Sequence, residues 1–569
     1  MTPIDYAIFI AYLIGTLAIG FVFFSRNKTS SDMFAAGGHS PWWVSGLSGF
    51  MTLKSAGTFV VWGGLAYQMG VVAIAIVTCI GLSGLLVGRF VAGYWRRLGI
   101  STPAEFIEFR FGPSAVQFYT WSMMAIRTLS SGVALYAVAV MLVTLIPLPE
   151  GNPLRDPVTG NLSLTVAIIA FAAIIIVYTV SGGLWAVLMT DILQFVVLQL
   201  AVLFIIPLLF FALKDAPQVT LPTGFFVPFS EQYTLWFLAG WVLVHFFVIG
   251  AEWAFAQRFL CVPTERDARW AAYLFGGLYL ISPTIWLMPS LMYRMIDPSA
   301  NPEQAYILAS QFVLPTGMLG LMMAALFSAT ASAISGQINV FAGVFSEQFY
   351  RRLFAPAATD KQMVWAGRVS MFLLGLLLLG VALAVPLMGG AQQIVLTLTG
   401  LLLGPLLAPT VFGLVSKRIG LRDVFITAGT SFAVGVFLKF GLKAFGGPFM
   451  PAAEWVRLNP RMVDVLVGAV LPTIILSLAH FTRKSTSAGW AETQRRYDTY
   501  TPSQASTAGE GSAATTVTWI SLGATGLVVL SLIFINSTDQ VALAIFGLIL
   551  MALSIAIWAR ARKTRPLAA

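Results

Sequence analysis

Apolar runs of about twenty residues recur along the whole chain and limit its fold more than any other feature. A helix of that length crosses the ~30 Å hydrocarbon core of a bilayer, because each residue advances a helix by about 1.5 Å. We interpret fifteen such runs as candidate transmembrane helices, the first of them retained rather than removed as a signal peptide. Their predicted bounds are 3–24, 41–67, 70–95, 115–147, 163–181, 184–212, 233–258, 270–296, 305–345, 364–387, 390–416, 423–444, 463–481, 516–535 and 539–559.

The number and placement of charged residues support the interpretation of these runs as transmembrane helices. Charged residues make up only 10% of the chain, against about 25% in a typical soluble domain. The net charge of +10 comes from lysines and arginines that lie between apolar runs. With the N-terminus outside, most of them fall on the cytoplasmic side, as the positive-inside rule requires. We therefore predict an integral protein of the plasma or inner membrane, with a cytoplasmic C-terminus, that contacts lipid and no nucleic acid.

Several classes of function lack their usual sequence support. The chain contains no HExxH, GxSxG, GxxxxGK[ST] or EF-hand pattern, so membrane enzymes and ATP-driven pumps are disfavoured. Cys79 and Cys261 form neither a disulfide framework nor a metal-binding pattern. We expect neither an enzyme nor a bound cofactor.

Four charged residues stand out because a charge at the bilayer centre costs about 3 kcal/mol or more. Lys54 and Arg127 fall near the middle of their runs, and Asp191 and Glu252 fall in the cytoplasmic third of theirs. Such positions mark candidate functional sites.

Two runs also carry small and hydroxyl residues where a helix would prefer aliphatic ones. The first is SGFMTLKSAGT at 48–58, and the weaker second is VIGAE at 248–252. Interrupted helices in corresponding halves of a chain mark the central site of secondary transporters. The alternative is that small residues only let helices pack closely, but Lys54 within the first segment makes packing alone insufficient.

A further pattern consists of Ser328, Ser332, Ser335 and Asn339, whose spacing places them on one helical face. Their oxygens could bind a hard cation or line a solute path. For each serine alone, a hydrogen bond to the carbonyl one turn earlier is the alternative. The complete stripe favours a functional face.

Several motifs, in order, resemble those of the sodium:solute symporters, a family that takes up sugars, amino acids, carboxylates and vitamins. The similarity extends through roughly the first 420 residues. Its most specific part joins Tyr178-Thr179 to GGLWAV at 182–187 and TDILQ at 190–194. The other matching segments are Asp5-Tyr6, FAAGG at 34–38, TPAEF at 102–106, RFG at 110–112, QRFL at 257–260 and GLVSKR at 413–418.

The resemblance implies an all-α polytopic fold of the leucine-transporter type, in which two inverted repeats of five helices each contain a broken helix. The implied regions are a leader helix and cytoplasmic loop at 1–40, repeats at 41–212 and 233–418, additional helices at 419–481, a flexible cytoplasmic linker at 482–515, and a helix pair with a basic tail at 516–569.

The resemblance also implies a cation site. Backbone carbonyls of Met51 and Lys54 and groups of Ala325, Ser328 and Ala329 occupy the positions of the family's principal sodium site, and Asp191 lies near the sodium route. Ala329 removes one oxygen ligand, and Lys54 adds a cation that would repel sodium by about 4 kcal/mol at ~4 Å.

Two interpretations of these departures remain open. In the first, the Lys54 ammonium replaces sodium, paired with Asp191, and transport is sodium-independent or proton-linked. In the second, Na+ stays the coupling ion, Lys54 offers only its carbonyl, and Ser332 supplies the missing oxygen.

Candidate solute-binding residues are Thr58, Arg127 and His245, because Val77 and Leu396 at the comparable positions make a poor sugar site. Arg127 could hold a carboxylate through paired hydrogen bonds, which favours a small organic anion. The alternatives are that Arg127 pairs with Glu252 and that His245 bonds its own helix. We expect a secondary transporter working by alternating access; the rival reading is a solute sensor without net transport.

Overall fold

A computed structural model describes residues 1–24, 40–215, 219–388, 402–442, 450–502, 510–534 and 540–563. The side chains of 181–194 lie outside this description, as do those of a few residues near the range ends. Within the described residues every regular element is a helix, and β structure is limited to two isolated bridges between 147 and 162. The predicted all-α polytopic fold is confirmed.

The described part of the first half contains eight α-helices, and a π-helical stretch, Thr58–Gly63, precedes the third. Their bounds are α1 Pro3–Phe24, α2 Trp42–Thr52, α3 Gly64–Met69, α4 Val71–Phe90, α5 Ala92–Arg97, α6 Pro103–Phe111, α7 Pro113–Thr144 and α8 Leu164–Ala212.

The remaining helices follow in the described part of the second half. They are α9 Leu235–Ala251, α10 Trp253–Leu260, α11 Glu265–Arg294, α12 Ala305–Val313, α13 Met318–Val344, α14 Asp360–Ala384, α15 Gly404–Val415, α16 Leu421–Val436, α17 Met450–Leu458, α18 Pro460–Val465, α19 Leu471–Thr482, α20 Trp490–Asp498, α21 Glu510–Ser531 and α22 Gln540–Lys563.

Eight helical segments of the described chain are long and apolar enough to cross a membrane, and the bent pair α9–α10 makes a ninth. The fifteen predicted spans include shorter apolar helices and segments that extend past the described ranges, so their number remains a prediction. The spans predicted at 163–181 and 184–212 both fall in α8, which is helical through Gly182-Gly183. A glycine costs a helix only about 1 kcal/mol relative to alanine, which is too little to fix a helix end by itself.

Helices α4 and α11 pack against each other through their backbones. A Cβ added to Gly81 would lie 2.8 Å from the Leu280 nitrogen, and one added to Gly276 would lie 2.7 Å from the Leu85 nitrogen. Inside a bilayer the hydrophobic effect does not drive helices together, and small residues at such contacts stabilise the pair by letting the backbones approach closely.

Asp5 joins the leader helix α1 to the start of α13. Its Oδ1 accepts hydrogen bonds from the N–H groups of Gly317 at 2.8 Å and Gly320 at 3.0 Å. The first N–H groups of a helix have no partner within it, and a carboxylate both satisfies them and complements the helix dipole. The Asp5 position of the opening motif therefore has a structural role.

The predicted flexible linker, 482–515, contains an ordered element. The docked segment, 487–500, includes α20 and packs on the face predicted to be cytoplasmic. The buried Tyr497 donates its hydroxyl to the Leu414 carbonyl at 2.9 Å, and Arg97 donates to the Tyr497 carbonyl at 3.2 Å. The serine- and threonine-rich composition suggested flexibility, but Trp490 and Tyr497 supply the aromatic surface needed for docking.

Arg110 ties this docked segment to the helices. It is 2% exposed, and its guanidinium donates to the carbonyls of Gly413 at 3.0 Å and Ser416 at 2.8 Å. The same group donates to the Ser487 hydroxyl and lies 5.5 Å from the centre of the Trp490 ring.

We expect Asp5→Ala to destabilise the protein by about 1–2 kcal/mol, because it removes the cap of α13. Thermal unfolding in detergent measures the loss. Asp5→Asn, which keeps an acceptor oxygen, should lose less. A melting temperature of Asp5→Ala equal to that of the wild type would contradict this role of Asp5.

We also expect Arg110→Ala to release the docked segment. Trypsin should then cleave after Arg495 and Arg496 several-fold faster while the helices before 480 stay intact, as followed by mass spectrometry. The control is Arg351→Ala, which removes only an exposed ion pair with Glu347. Equal cleavage rates in the two variants would show that Arg110 does not hold the segment.

Candidate functional site

The first broken helix lies between α2 and the π-helical stretch. Lys54 donates its N–H to the Met51 carbonyl at 2.8 Å, where α2 ends. The Thr58 hydroxyl donates to the Leu53 carbonyl at 3.1 Å and so satisfies a group that the interruption leaves free. The break predicted within 48–58 is confirmed.

The second broken helix lies between α9 and α10. Glu252 adopts an extended conformation, with φ −65° and ψ 135°. The helix axis bends by 55° between α9 and α10. The weaker pattern at 248–252 therefore also marks a real interruption. Both breaks place backbone outside regular helix within the buried interior, which membrane proteins tolerate only where protein or a cavity surrounds it.

A cavity of about 170 Å³ adjoins the first break. All three predicted solute-binding residues, Thr58, Arg127 and His245, line it, and Lys54 lines it as well. Its other walls include Thr52, Ser55, Trp62, Val77, Ser130, Ser131, Tyr279, Ala333, Ile334, Gln337 and Leu403. The structure thus brings the predicted solute-binding residues together; Leu396 lies outside the described residues.

The Lys54 side chain is fully buried and enclosed by aromatic rings. Its Nζ lies 3.4 Å from the centre of the Trp286 ring, 4.1 Å from that of Tyr279 and 5.3 Å from that of Phe50. No hydrogen-bond acceptor for Nζ occurs among the described side chains and backbone. A desolvated ammonium gains about 2 kcal/mol from a well-placed ring face, so the cage replaces part of its lost hydration.

Arg127 and Glu252 form a buried ion pair next to the cavity. Arg127 Nε lies 3.1 Å from Glu252 Oε1, and the side chains are 11% and 1% exposed. Gln337 donates from Nε2 to the same Oε1 atom at 3.1 Å. The alternative in which Arg127 pairs with Glu252 therefore matches the geometry. The contact is an ion pair rather than a hydrogen bond, because Arg127 Nε and Nη2 and Glu252 Oε2 have no hydrogen-bond partner in the described part of the chain.

His245 forms a hydrogen bond within its own helix, which is the alternative considered above for this residue. Its Nδ1 lies 3.1 Å from the Trp241 carbonyl oxygen. A carbonyl can only accept, so Nδ1 carries a hydrogen, and in a neutral ring Nε2 is then an acceptor.

The predicted cation-site residues are not brought together in this way. Ser328 lies beside Tyr12 of α1, whereas Ala333, Ile334 and Gln337 of the same helix line the cavity. At 3.6 residues per turn the predicted stripe, Ser328, Ser332, Ser335 and Asn339, is roughly opposite the cavity-facing side of α13.

Thr330 takes the place at the break that the sequence assigned to Ser328. Its hydroxyl oxygen accepts a hydrogen bond from the Ala56 N–H at 2.8 Å and donates to the Leu326 carbonyl at 2.8 Å. Met51, Ala325 and Ala329 are buried, Ser332 is 3% exposed, and the Asp191 side chain lies outside the described residues.

Sequence reasoning missed Gln337, Thr330 and the aromatic cage. An amide within an otherwise apolar span is a visible signal for Gln337, because polar side chains are costly there. Tyr279 and Trp286 gave no such signal, since aromatic residues in spans mostly serve packing.

We expect the Arg127–Glu252 pair to behave as a unit. Arg127→Met and Glu252→Gln each leave a buried charge without its partner, which costs about 3–5 kcal/mol. The double variant should therefore lose less stability than the sum of the losses in the two single variants, and its melting temperature should be correspondingly higher than that sum predicts. Thermal unfolding in detergent tests this, and strictly additive losses would show that the two side chains do not interact.

Comparisons with known proteins agree with the fold and the motifs. The sequence profile described as the sodium:solute symporter family matches residues 33–223 and 271–427, more than half of the chain. A Na+-coupled sialic acid symporter solved in a substrate-bound, outward-open state shares the fold, with a TM-score of 0.64 at 21% identity, covering 83% of this chain and 98% of that one.

Curated relatives are transporters. A sodium/glucose cotransporter of Vibrio parahaemolyticus is 25% identical, over 81% of this chain and 89% of its own length. The sodium/sialic acid symporter SiaT of Proteus mirabilis is 25% identical, over 73% and 85%. The sodium-coupled monocarboxylate transporter 2 of Bos taurus is 26% identical, over 79% and 74%. The chain therefore belongs to the sodium:solute symporter family.

Proposed function

We propose that this secondary transporter carries a small organic anion and that its transport does not require sodium. The observation that carries the proposal is the charge at the cavity. Lys54 and Arg127 bring two cationic groups to it, and Glu252 is the one carboxylate next to it within the described part of the chain. The ammonium form of Lys54 would leave one positive charge that Glu252 does not balance, and a monoanion in the cavity would balance it and so lower the cost of that charge in a low-dielectric interior.

The size of the cavity supports a solute of about six non-hydrogen atoms. An apolar cavity of about 150 Å³ holds one benzene molecule, and the present cavity measures about 170 Å³. A monocarboxylate of three or four carbons fits this volume. One relative is named for monocarboxylates.

The surroundings of the first break support sodium independence. Ala329 offers no side-chain oxygen, Ser328 lies beside Tyr12, and the Thr330 hydroxyl is engaged by Ala56 and Leu326. The Lys54 side chain lies close to the break, and its Nζ atom points into the aromatic cage formed with α11. We propose that it acts from beside the site rather than by occupying the sodium position.

Sodium coupling is the second candidate, because the relatives named above are sodium symporters. In that case the carbonyls at the break would bind Na+, and Thr330, which lies at the break, would be better placed than Ser332 to supply an oxygen. In both cases we propose alternating access around the cavity, with the N-terminus outside and the C-terminus cytoplasmic. Accumulation against a gradient distinguishes either candidate from a solute sensor.

The test measures uptake of radiolabelled propionate into proteoliposomes, with sodium or with choline as the cation. We expect uptake to persist in choline and to be saturable. Uptake in sodium that is lost completely in choline would overturn sodium independence and favour the second candidate. No uptake in either medium would contradict transport of small monocarboxylates.

Lys54→Met should reduce propionate uptake in choline at least tenfold, because it removes one of the two cationic groups. The control Lys361→Met alters an exposed lysine at the start of α14. Both variants are first checked for equal insertion and melting behaviour. Unchanged uptake by Lys54→Met would exclude a role for this ammonium.

A further inference from the structure

We infer that a groove on the face predicted to be cytoplasmic binds an anionic phospholipid, with two arginines contacting its headgroup phosphate. The groove lies between the junction of α4 with α5 and the helices α9, α11 and α15, and it measures about 320 Å³. Arg89 and Arg269 line it together with mainly apolar side chains. It shares no lining residue with the solute cavity, so the inference does not depend on which solute is transported.

Arg89 brings a charge to this groove that no neighbouring carboxylate balances. Its side chain is exposed in the last turn of α4, and it forms no ion pair within the described part of the chain. Its guanidinium lies 5.3 Å from the centre of the exposed Phe90 ring, so the charge adjoins an apolar wall. A planar guanidinium can donate two parallel hydrogen bonds to phosphate oxygens.

Arg269 supplies the second cationic group. It forms an ion pair with Glu265 of the same helix, and Arg97 Nε lies 3.9 Å from the other oxygen of that carboxylate. One carboxylate therefore serves two arginines, and no acidic side chain is among the described residues that line the groove. Together with Arg89, these side chains leave an excess of positive charge that a phosphate would balance. This excess favours an anionic over a zwitterionic headgroup.

Exposed tryptophans indicate that Arg269 lies at the depth of lipid headgroups. Trp270 directly follows Arg269 in the chain and is 47% exposed. The centre of its ring lies 6.0 Å from that of Trp42, which is also exposed, at the start of α2. Tryptophan is enriched where a membrane meets water, because its ring is apolar and its N–H group is polar. The guanidinium beside this pair is therefore at the level of the phosphates.

The apolar walls of the groove distinguish a lipid from a soluble phosphate. Phe246 of α9 and Val411, Phe412 and Val415 of α15 form them. Val411 precedes Val415 by four residues, about 6 Å along the helix, and the polar segment 416–418 follows Val415, so Val411 lies deeper in the membrane. The groove thus joins a cationic rim to apolar walls, in the order in which a phospholipid joins its phosphate to its acyl chains. A free phosphate would contact only the rim.

The experiment counts lipids bound to the full-length protein in detergent by native mass spectrometry, with phosphatidylglycerol and phosphatidylcholine as probes. We expect one phosphatidylglycerol molecule to bind at a concentration roughly tenfold lower than phosphatidylcholine, because only the former has a net negative charge. Equal binding of the two lipids would overturn the inference. Displacement of phosphatidylglycerol by an equal concentration of glycerol 3-phosphate would overturn it as well, since the site would then recognise a soluble phosphate.

Arg89→Gln tests the cationic part of the site. It should weaken binding of the phosphatidylglycerol molecule about tenfold, because a charge-assisted hydrogen bond to the phosphate is lost. The matched control is Arg266→Gln, which changes an exposed arginine near the start of α11 that does not line the groove. An equal effect of the two substitutions would overturn the inference, because diffuse surface charge would then account for the binding.

Val415→Phe tests the apolar part without changing either arginine. Val415 is half exposed at the wall of the groove, and a larger side chain there should fill the space that the lipid occupies and weaken binding several-fold. The control is Leu421→Phe, an exposed apolar position outside the groove. Unchanged binding by Val415→Phe would overturn the placement of the lipid in this groove, and this variant decides the question if Arg89→Gln fails to fold.

Discussion

In hydrocarbon a peptide group has no water to bond, so every interruption of a helix must find partners for the groups it frees. The first break in this chain meets that requirement with side chains. Thr58 satisfies the Leu53 carbonyl, and Thr330 of α13 satisfies the Ala56 N–H. The cavity adjoins this break, and residues of the interrupted segment, among them Lys54 and Thr58, line it.

The buried charges next to this cavity are accommodated in two different ways. Glu252 and Arg127 neutralise each other, and Gln337 fixes their geometry. Lys54 has no carboxylate among its described neighbours and instead lies against the faces of Trp286 and Tyr279. An ion pair cancels charge, whereas an aromatic cage only lowers its cost. The sodium independence proposed above therefore depends on the protonated form of Lys54.

Much of the fold was predictable from the sequence because a bilayer imposes long apolar runs and makes every exception visible. Small and hydroxyl residues around Lys54, and Glu252 after a glycine, were sufficient to predict both breaks. The direction of side chains was not predictable in the same way. Spacing places Ser328 and its stripe on one side of α13, but only packing against α1 decides which side meets the cavity. For the same reason the sequence could not show that Lys54 turns toward α11, or that Trp490 and Tyr497 dock a segment whose composition suggests disorder.

The backbone contact between α4 and α11 limits how the molecule can move. Gly81 and Gly276 leave no space for even a methyl group between the two helices, so their backbones are in direct contact. Such an extended close contact favours movement of the pair as one unit. Since α11 carries Tyr279 and Trp286, any such displacement moves two walls of the Lys54 cage together and changes the surroundings of that ammonium as the unit shifts.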